Sequence, residues 1–214
     1  MKSFQFNLII ILIASLVTFL SGFGNLISII EPLSFLKFEI SDSYSRYITF
    51  STFENTYLIN NEWWRLFAPI FIHFSLIHLV FNCLWVYVLG QQIEKIDGKT
   101  LFITLIIFSG ICGNYAQFIS TGPSLFGGLS GCVYGMFGYT MITEFQKSRI
   151  IYGLPPAIYI FMISWLVLGF IGVLSLFGLG NIANFAHLGG LIAGVIMAMV
   201  VTIISKDSYL DEKN

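Results

Sequence analysis

The sequence predicts an all-α fold, a polytopic membrane protein built as a bundle of six transmembrane helices. The composition is the first reason: 57% of the 214 residues are apolar and only 10% are charged, too few to cover a water-facing globule. The second reason is that the apolar residues form runs of about 20 positions, the length that crosses a bilayer. We expect helices near residues 7–28, 67–89, 101–119, 129–146, 155–177 and 184–205.

The chain reads as a single membrane domain over residues 1–214, with its core at about 64–205. No repeat of fixed period and no low-complexity linker divides it. The first apolar run follows a single Lys2 and precedes no small-residue cleavage site, so we expect a retained helix rather than a removed signal peptide.

Charge and cysteine usage exclude several kinds of partner. A net charge of −1 without a basic run argues against nucleic-acid binding. The three cysteines lie inside apolar runs, and their spacing is not that of a metal site. Glu94 and Asp97 are the acidic residues nearest the core, but they lie at the opposite end from the histidines. We therefore expect no metal and no cofactor.

The basic residues predict the orientation. With both termini cytoplasmic, seven basic residues lie inside and three outside, which is the bias expected of membrane proteins. The inner set is Lys2, Lys95, Lys99, Lys147, Arg149, Lys206 and Lys213, and the outer set is Lys37, Arg46 and Arg65. The first extracytoplasmic loop, residues 29–66, is long and ends in Trp63-Trp64-Arg65, which suits an interfacial anchor.

A serine between glycines begins the fourth predicted helix. Ser130 follows Gly127-Gly128-Leu129, and a helix start lined by glycines can be approached closely by a substrate backbone. The alternative is packing, because Gly131 and Gly135 form a GxxxG face that Ser130 could extend. Ser130 is therefore a candidate nucleophile that needs support from other residues.

Three further polar side chains share the predicted depth of Ser130. The second, fourth and sixth helices all run inward from the outer face, which places His78, Asn82 and His187 in the outer half of the membrane. Polar residues at such depth are costly and usually mark function, although interhelical hydrogen bonding alone is the plainer explanation for any one of them. We expect a site where these residues converge.

Glycines on both helices favour contact between Ser130 and His187. Gly190 and Gly194 lie on the face of His187, and the fourth helix carries Gly131, Gly135 and Gly138, so the two backbones can touch through such glycine faces. Because no Asp lies in the six predicted helices, we infer a Ser130–His187 dyad in which His187 is the general base.

Further residues are candidates for supporting this dyad. Tyr134, one turn after Ser130, is a candidate for stacking on the imidazole, although ordinary packing explains it equally well. His78 and Asn82 offer donors to an oxyanion, together with the backbone N–H of Ser130.

Taken together, these motifs resemble the rhomboid intramembrane serine proteases. The resemblance rests, in order, on Trp64-Arg65, His78-x-x-x-Asn82, Gly90-Gln-Gln-Ile-Glu94-Lys-Ile-Asp97-Gly98, Gly128-Leu-Ser130-Gly131 and Ala186-His187-x-x-Gly190. It implies a six-helix core, Ser130 as nucleophile, His187 as base and acid, and His78 and Asn82 as oxyanion-hole side chains, with Gly128, Tyr134 and Gly190 in support. His73 lies five residues before His78, so helical spacing is expected to turn it to a different face. By the same resemblance, a histidine at this position is structural at most. Gly90 and Gly98 are expected to shape a turn that Glu94 holds.

The resemblance also implies the biological setting. The chain is expected in the cell inner (plasma) membrane, acting on transmembrane protein substrates that pass a gate formed by residues 155–177 and the loop 178–184. Oligomeric state is left open. Two other functions stay in view: a catalytically inactive relative that binds membrane clients, which an intact Ser130 and His187 argue against, and a small transporter, against which the lack of paired broken helices weighs.

Overall fold

The computed structural model describes residues 5–40, 47–173 and 182–211, with side chains up to Ile204. Within these described ranges, the bundle is formed by six long helices: α1 (Phe6–Leu20), α2 (Leu76–Ile96), α3 (Lys99–Thr121), α4 (Ser130–Lys147), α5 (Pro156–Phe170) and α6 (Asn184–Asp211). The α2 and α3 helices and the Asn184–Ile204 part of α6 are long and apolar enough to cross a membrane, while α1 and α5 are shorter apolar helices. The predicted all-α class is confirmed.

The central element of the bundle is α4. Every residue from Gly131 to Thr140 is buried, and the helix packs most extensively against α6. A β-carbon added at Gly190 would collide with the carbonyl oxygen of Gly131, and one added at Gly194 would collide with that of Gly135. The two backbones therefore touch directly, as the glycine spacing predicts.

Two helix boundaries differ from the prediction on the side of the long first loop. The first helix ends at Leu20 instead of residue 28 because Gly22, Phe23 and Gly24 adopt positive φ angles of 56°, 57° and 88°. The second helix begins at Leu76 instead of residue 67, because the chain around Pro69 forms a 3₁₀ turn.

The other ends of the second and fifth helices also differ. The second helix runs on to Ile96, so Gly90 lies inside α2 and not in a turn as predicted; its missing side chain makes room for Phe102 and Asn7. The fifth helix ends at Phe170, and predicted positions 174–177, together with loop residues 178–181, lie outside the described residues.

The first loop contains structure that hydropathy did not predict. Strands β1 (Phe38–Ile40) and β2 (Ile48–Phe50) pair antiparallel, with Glu39 opposite Thr49. Short helical turns occupy Ile27–Ile30, Glu31–Leu33, Glu54–Ile59, Trp63–Leu66 and Ala68–Phe71. Burial raises the pKa of Tyr57, whose hydroxyl donates to the carbonyl of Phe35 at 2.6 Å.

Arg65 fastens this loop to itself. Its guanidinium is 2% exposed and contacts Glu31 Oε1 at 2.8 Å and Glu62 Oε2 at 2.5 Å. The neighbouring Trp64 is half exposed and donates its indole N–H to the Pro32 carbonyl at 2.9 Å. Removing one partner of such a buried, hydrogen-bonded pair would leave an uncompensated charge, so the Trp64-Arg65 motif has a structural role in holding this loop together.

Candidate active site

Ser130 and His187 meet where α4 and α6 touch. Ser130 is the first residue of α4, and His187 lies in the first turn of α6. The distance from Ser130 Oγ to His187 Nε2 is 2.8 Å, a hydrogen bond of ordinary length. The glycine contacts described above allow this approach, because any larger residue at Gly190 would hold the two helices apart.

Tyr134 holds the imidazole from one side. Its ring stacks on that of His187 with centroids 4.7 Å apart and an interplanar angle of 22°. Its hydroxyl donates to the backbone carbonyl of Met162 in α5 at 3.0 Å. Within the described ranges, Nδ1 of His187 is buried without a hydrogen-bond partner, so no third residue orients the ring as in a triad.

Gly128 opens a space beside Ser130. Its φ angle is +121°, which strongly favours glycine, and an added β-carbon would lie 2.8 Å from His78 Nε2 and 3.4 Å from Asn82 Nδ2. The two predicted donors therefore face the same point, two residues before the serine. A carbonyl oxygen placed there would receive N–H groups from both side chains.

His73 belongs to this site, contrary to the expectation that it faces elsewhere. It lies in the extended segment before α2, is 0% exposed, and its Nε2 is 3.0 Å from Asn82 Nδ2 and 3.4 Å from the backbone N of Leu129. Helical spacing placed it on another face because the predicted helix began too early. The residue that could have located the true helix start is Ser75, because serine is a preferred N-cap residue. Its Oγ accepts the His78 N–H at 3.2 Å.

The acidic residues at the far end of the bundle serve the fold. Glu94 accepts backbone N–H groups of Phe6 and Asn7 at the start of α1, so it holds that helix and not a turn at Gly98. Asp97 accepts a hydrogen bond from the hydroxyl of Tyr152 at 2.8 Å. Burial raises the pKa of the Asp97 carboxyl, and the bond from Tyr152 opposes that rise only in part. Over the parts of the chain that the structure describes, no three His, Cys, Asp or Glu side chains are grouped to hold a metal.

Trp165, Phe170 and Phe177 are aromatic residues of the predicted gate segment 155–177, and of these Trp165 contacts α2. The ring of Trp165 stacks on Phe81 with centroids 6.4 Å apart and 12° between planes. Phe170 instead packs edge-on against Phe185 of α6 at 5.2 Å, and Phe177 lies outside the described residues. The seam between α2 and α5 therefore includes the Phe81–Trp165 pair.

This fold and site define the class of protein: a polytopic helical membrane protein with a serine–histidine pair between two glycine-packed helices. The chain belongs to the rhomboid family, since the sequence model of the Rhomboid domain matches residues 60–203.

Relatives named Rhomboid protease GlpG share this part of the chain. The protein of Yersinia pestis (strain Pestoides F) is 38% identical over 135 residues, 63% of this chain and 47% of the relative. That of Salmonella newport (strain SL254) is 39% identical over 142 residues, 66% of this chain and 50% of the relative. The chain thus spans about half the length of these curated relatives.

Proposed function

We propose that this protein is an intramembrane serine endopeptidase that hydrolyses peptide bonds in or near transmembrane segments of membrane proteins. The observation that carries the proposal is the 2.8 Å hydrogen bond between Ser130 Oγ and His187 Nε2 inside an apolar helical bundle. A serine is a weak nucleophile until an adjacent base takes its proton, and this pair meets that requirement. The printed name of the relatives, Rhomboid protease GlpG, supports the same activity.

The geometry supports a two-step acyl transfer. Ser130 Oγ attacks the scissile carbonyl while His187 Nε2 accepts its proton, and the oxyanion that forms receives hydrogen bonds from the Ser130 N–H, His78 and Asn82. His187 then protonates the leaving amine, which breaks the peptide bond and leaves an acyl-enzyme. Water, deprotonated by His187, attacks the ester and releases Ser130.

The dyad is tested by Ser130→Ala and His187→Ala with a transmembrane reporter substrate in liposomes. Both variants should lose cleavage while folding and inserting normally, and a fluorophosphonate should label the wild-type protein at Ser130. Ser109→Ala is the matched control, because this buried hydroxyl donates to the Leu105 carbonyl of its own helix and should be dispensable for cleavage. Turnover by purified Ser130→Ala would refute the mechanism.

An inactive, client-binding relative is the alternative, and the same assay separates it from the protease. Such a protein would bind a transmembrane segment without cutting it and would not react with the fluorophosphonate. The paired Ser130 and His187 give no support to this alternative, since binding alone needs no activated hydroxyl.

We further propose that the chain lies in the inner (plasma) membrane with both termini cytoplasmic and the dyad in the extracytoplasmic half. The distribution of basic residues supports this orientation. Asn60 and Arg149 are exposed at opposite ends of the bundle. A membrane-impermeant maleimide added to intact cells should label Asn60→Cys but not Arg149→Cys, and the reverse pattern would invert the topology.

A further inference from the structure

We propose that His73 is a positioning residue for the oxyanion-binding amide of Asn82. The inference rests on the proposed function and adds to it a side chain outside the dyad and the oxyanion donors. His73 is completely buried, yet its ring has partners on both nitrogens, which makes it the hub of a small polar network at the start of α2 and α4.

The partners of the ring determine its tautomer. Nδ1 lies 3.3 Å from the carbonyl oxygen of Phe71, which can only accept a hydrogen bond, so Nδ1 carries the proton. Nε2 lies 3.0 Å from the Asn82 amide nitrogen and 3.4 Å from the backbone nitrogen of Leu129, and both of these groups are donors. Nε2 is therefore the acceptor, and the ring is neutral.

This acceptor fixes which way the Asn82 amide points. A carboxamide can rotate by half a turn and exchange its NH₂ and carbonyl ends, and only the observed orientation gives His73 Nε2 a hydrogen. One amide hydrogen is then used by His73, and the other remains on the nitrogen that faces the space beside Gly128. In the rotated state, the Asn82 carbonyl would meet the developing oxyanion and repel it.

The same nitrogen also connects Asn82 with the nucleophile. Leu129 immediately precedes Ser130, and its N–H is held by His73 Nε2. The His73 and His78 rings lie 4.9 Å apart, so the network also borders the second donor. The His73 imidazole therefore contacts both the Asn82 amide in α2 and the backbone that leads into Ser130, and it holds the two at a fixed distance from each other.

A double-mutant cycle between His73 and Asn82 tests the proposal. Removing a single oxyanion donor costs roughly 100- to 1,000-fold in turnover in other enzymes. His73→Leu should lower kcat by roughly tenfold or more, up to that limit, with KM unchanged, because the lost interaction acts only on the transition state. In an Asn82→Ala background, where no amide remains to be oriented, His73→Leu should lower kcat by less than about threefold.

Two conservative variants serve as a matched pair. Glutamine can place an amide oxygen near the position of Nε2, whereas asparagine reaches only to that of Nδ1. His73→Gln should therefore keep more of the turnover than His73→Asn, at comparable melting temperatures and with fluorophosphonate labelling of Ser130 retained. If His73→Leu does not fold, this pair decides the question.

Two outcomes would overturn the proposal. One is an equal fold-loss for His73→Leu in the wild-type and Asn82→Ala backgrounds, which would show that His73 acts through general packing. The other is equal activity of His73→Gln and His73→Asn. Failure of the proposed function looks different, because the wild-type protein would then not cleave the reporter, or Ser130→Ala would still cleave it.

Discussion

Gly128 shows how a single missing side chain creates the space that the proposed chemistry needs. Its backbone passes His78 and Asn82 so closely that a β-carbon would come within 2.7 Å of the His78 ring. Real β-carbons do not tolerate such a distance, so a side chain at this position would displace the His78 ring from the site. The residue therefore keeps the point between the donors open for a substrate carbonyl.

We predict that Gly128→Ala abolishes most turnover, at least about 100-fold, which corresponds to losing an oxyanion donor. Gly122→Ala is the matched control: Gly122 has a φ of +73°, but an added β-carbon would meet no atom within 4 Å. Because its ψ is −166°, alanine there should carry a backbone strain of about 1–3 kcal/mol without loss of kcat. Initial rates on the transmembrane reporter, with melting temperatures for both variants, make the comparison. Comparable kcat in the two variants would contradict this role.

The sequence allowed Ser130, His187, His78 and Asn82 to be brought together because regular helices place side chains by spacing alone. His73 escaped the same reasoning since its position depends on an irregular segment between Pro69 and the Ser75 cap. The hydrogen bond from Tyr134 to the carbonyl of Met162 could not be predicted either, because every residue has a backbone carbonyl and the sequence does not indicate which one accepts.

At the scale of elements, side-chain hydrogen bonds attach α5 to α4 and α6 near its start, its middle and its end. Tyr159 donates to Glu144 at 2.9 Å near the start of the helix, and Tyr134 donates to Met162 at 3.0 Å near its middle. Asn184 of α6 donates to the carbonyl of Gly169 at 2.9 Å near its end. The end that carries Gly169 is the one next to the dyad, where a substrate would enter under the proposed function.

We predict that Asn184→Ala accelerates cleavage of a transmembrane substrate about threefold, because an interhelical hydrogen bond in a membrane contributes about 0.6 kcal/mol. Tyr159→Phe removes a bond of similar length from the opposite end of α5 and should leave the rate unchanged. Initial rates in liposomes measure both. Equal acceleration by the two variants, or by neither, would show that opening is not localised to the end near Gly169.

The boundaries of the fourth helix were predictable from the glycines before it and the charge at its end, whereas the second helix was misplaced at both ends. The fourth helix was predicted as 129–146 and is observed as Ser130–Lys147, since glycines precede it and Lys147 closes it. The second helix was misplaced because the apolar residues before Ser75 belong to a 3₁₀ turn and an extended segment with the same hydropathy. The strands of the first loop are too short, at three residues each, to leave a periodic signal.

At the scale of the whole molecule, the two sides of the bundle differ in how tightly they are closed. The α4 and α6 helices touch through backbone atoms at glycines, whereas the Phe81 and Trp165 rings join α2 and α5. Side chains can change rotamer, but backbones in contact cannot separate without undocking a helix. Under the proposed function, a substrate helix therefore passes from lipid to the dyad between α2 and α5.

We predict that a disulfide between Phe81→Cys and Trp165→Cys, in a background with Cys83, Cys112 and Cys132 replaced by alanine, stops cleavage of a transmembrane substrate. After reduction, the variant should cleave faster than the cysteine-replaced parent that retains Phe81 and Trp165, because the two substitutions have removed both rings of the seam. Gln146→Cys with Thr202→Cys is the control. The Thr202 hydroxyl donates to Gln146 Oε1 at 2.6 Å and so joins α4 to α6, two helices that are not expected to separate when a substrate enters. Undiminished cleavage by the oxidised Phe81–Trp165 variant would rule out this route.

The glycine contact between α4 and α6 also has a consequence for biosynthesis. Ser130 leaves the ribosome 57 residues before His187, and the two meet only when Gly190 and Gly194 have docked against Gly131 and Gly135. Until α6 is inserted, Ser130 has no base to activate it. Under the proposed function, a nascent chain is therefore inert toward its neighbours in the membrane, and the docking of α6 against α4 is the step that turns on hydrolysis.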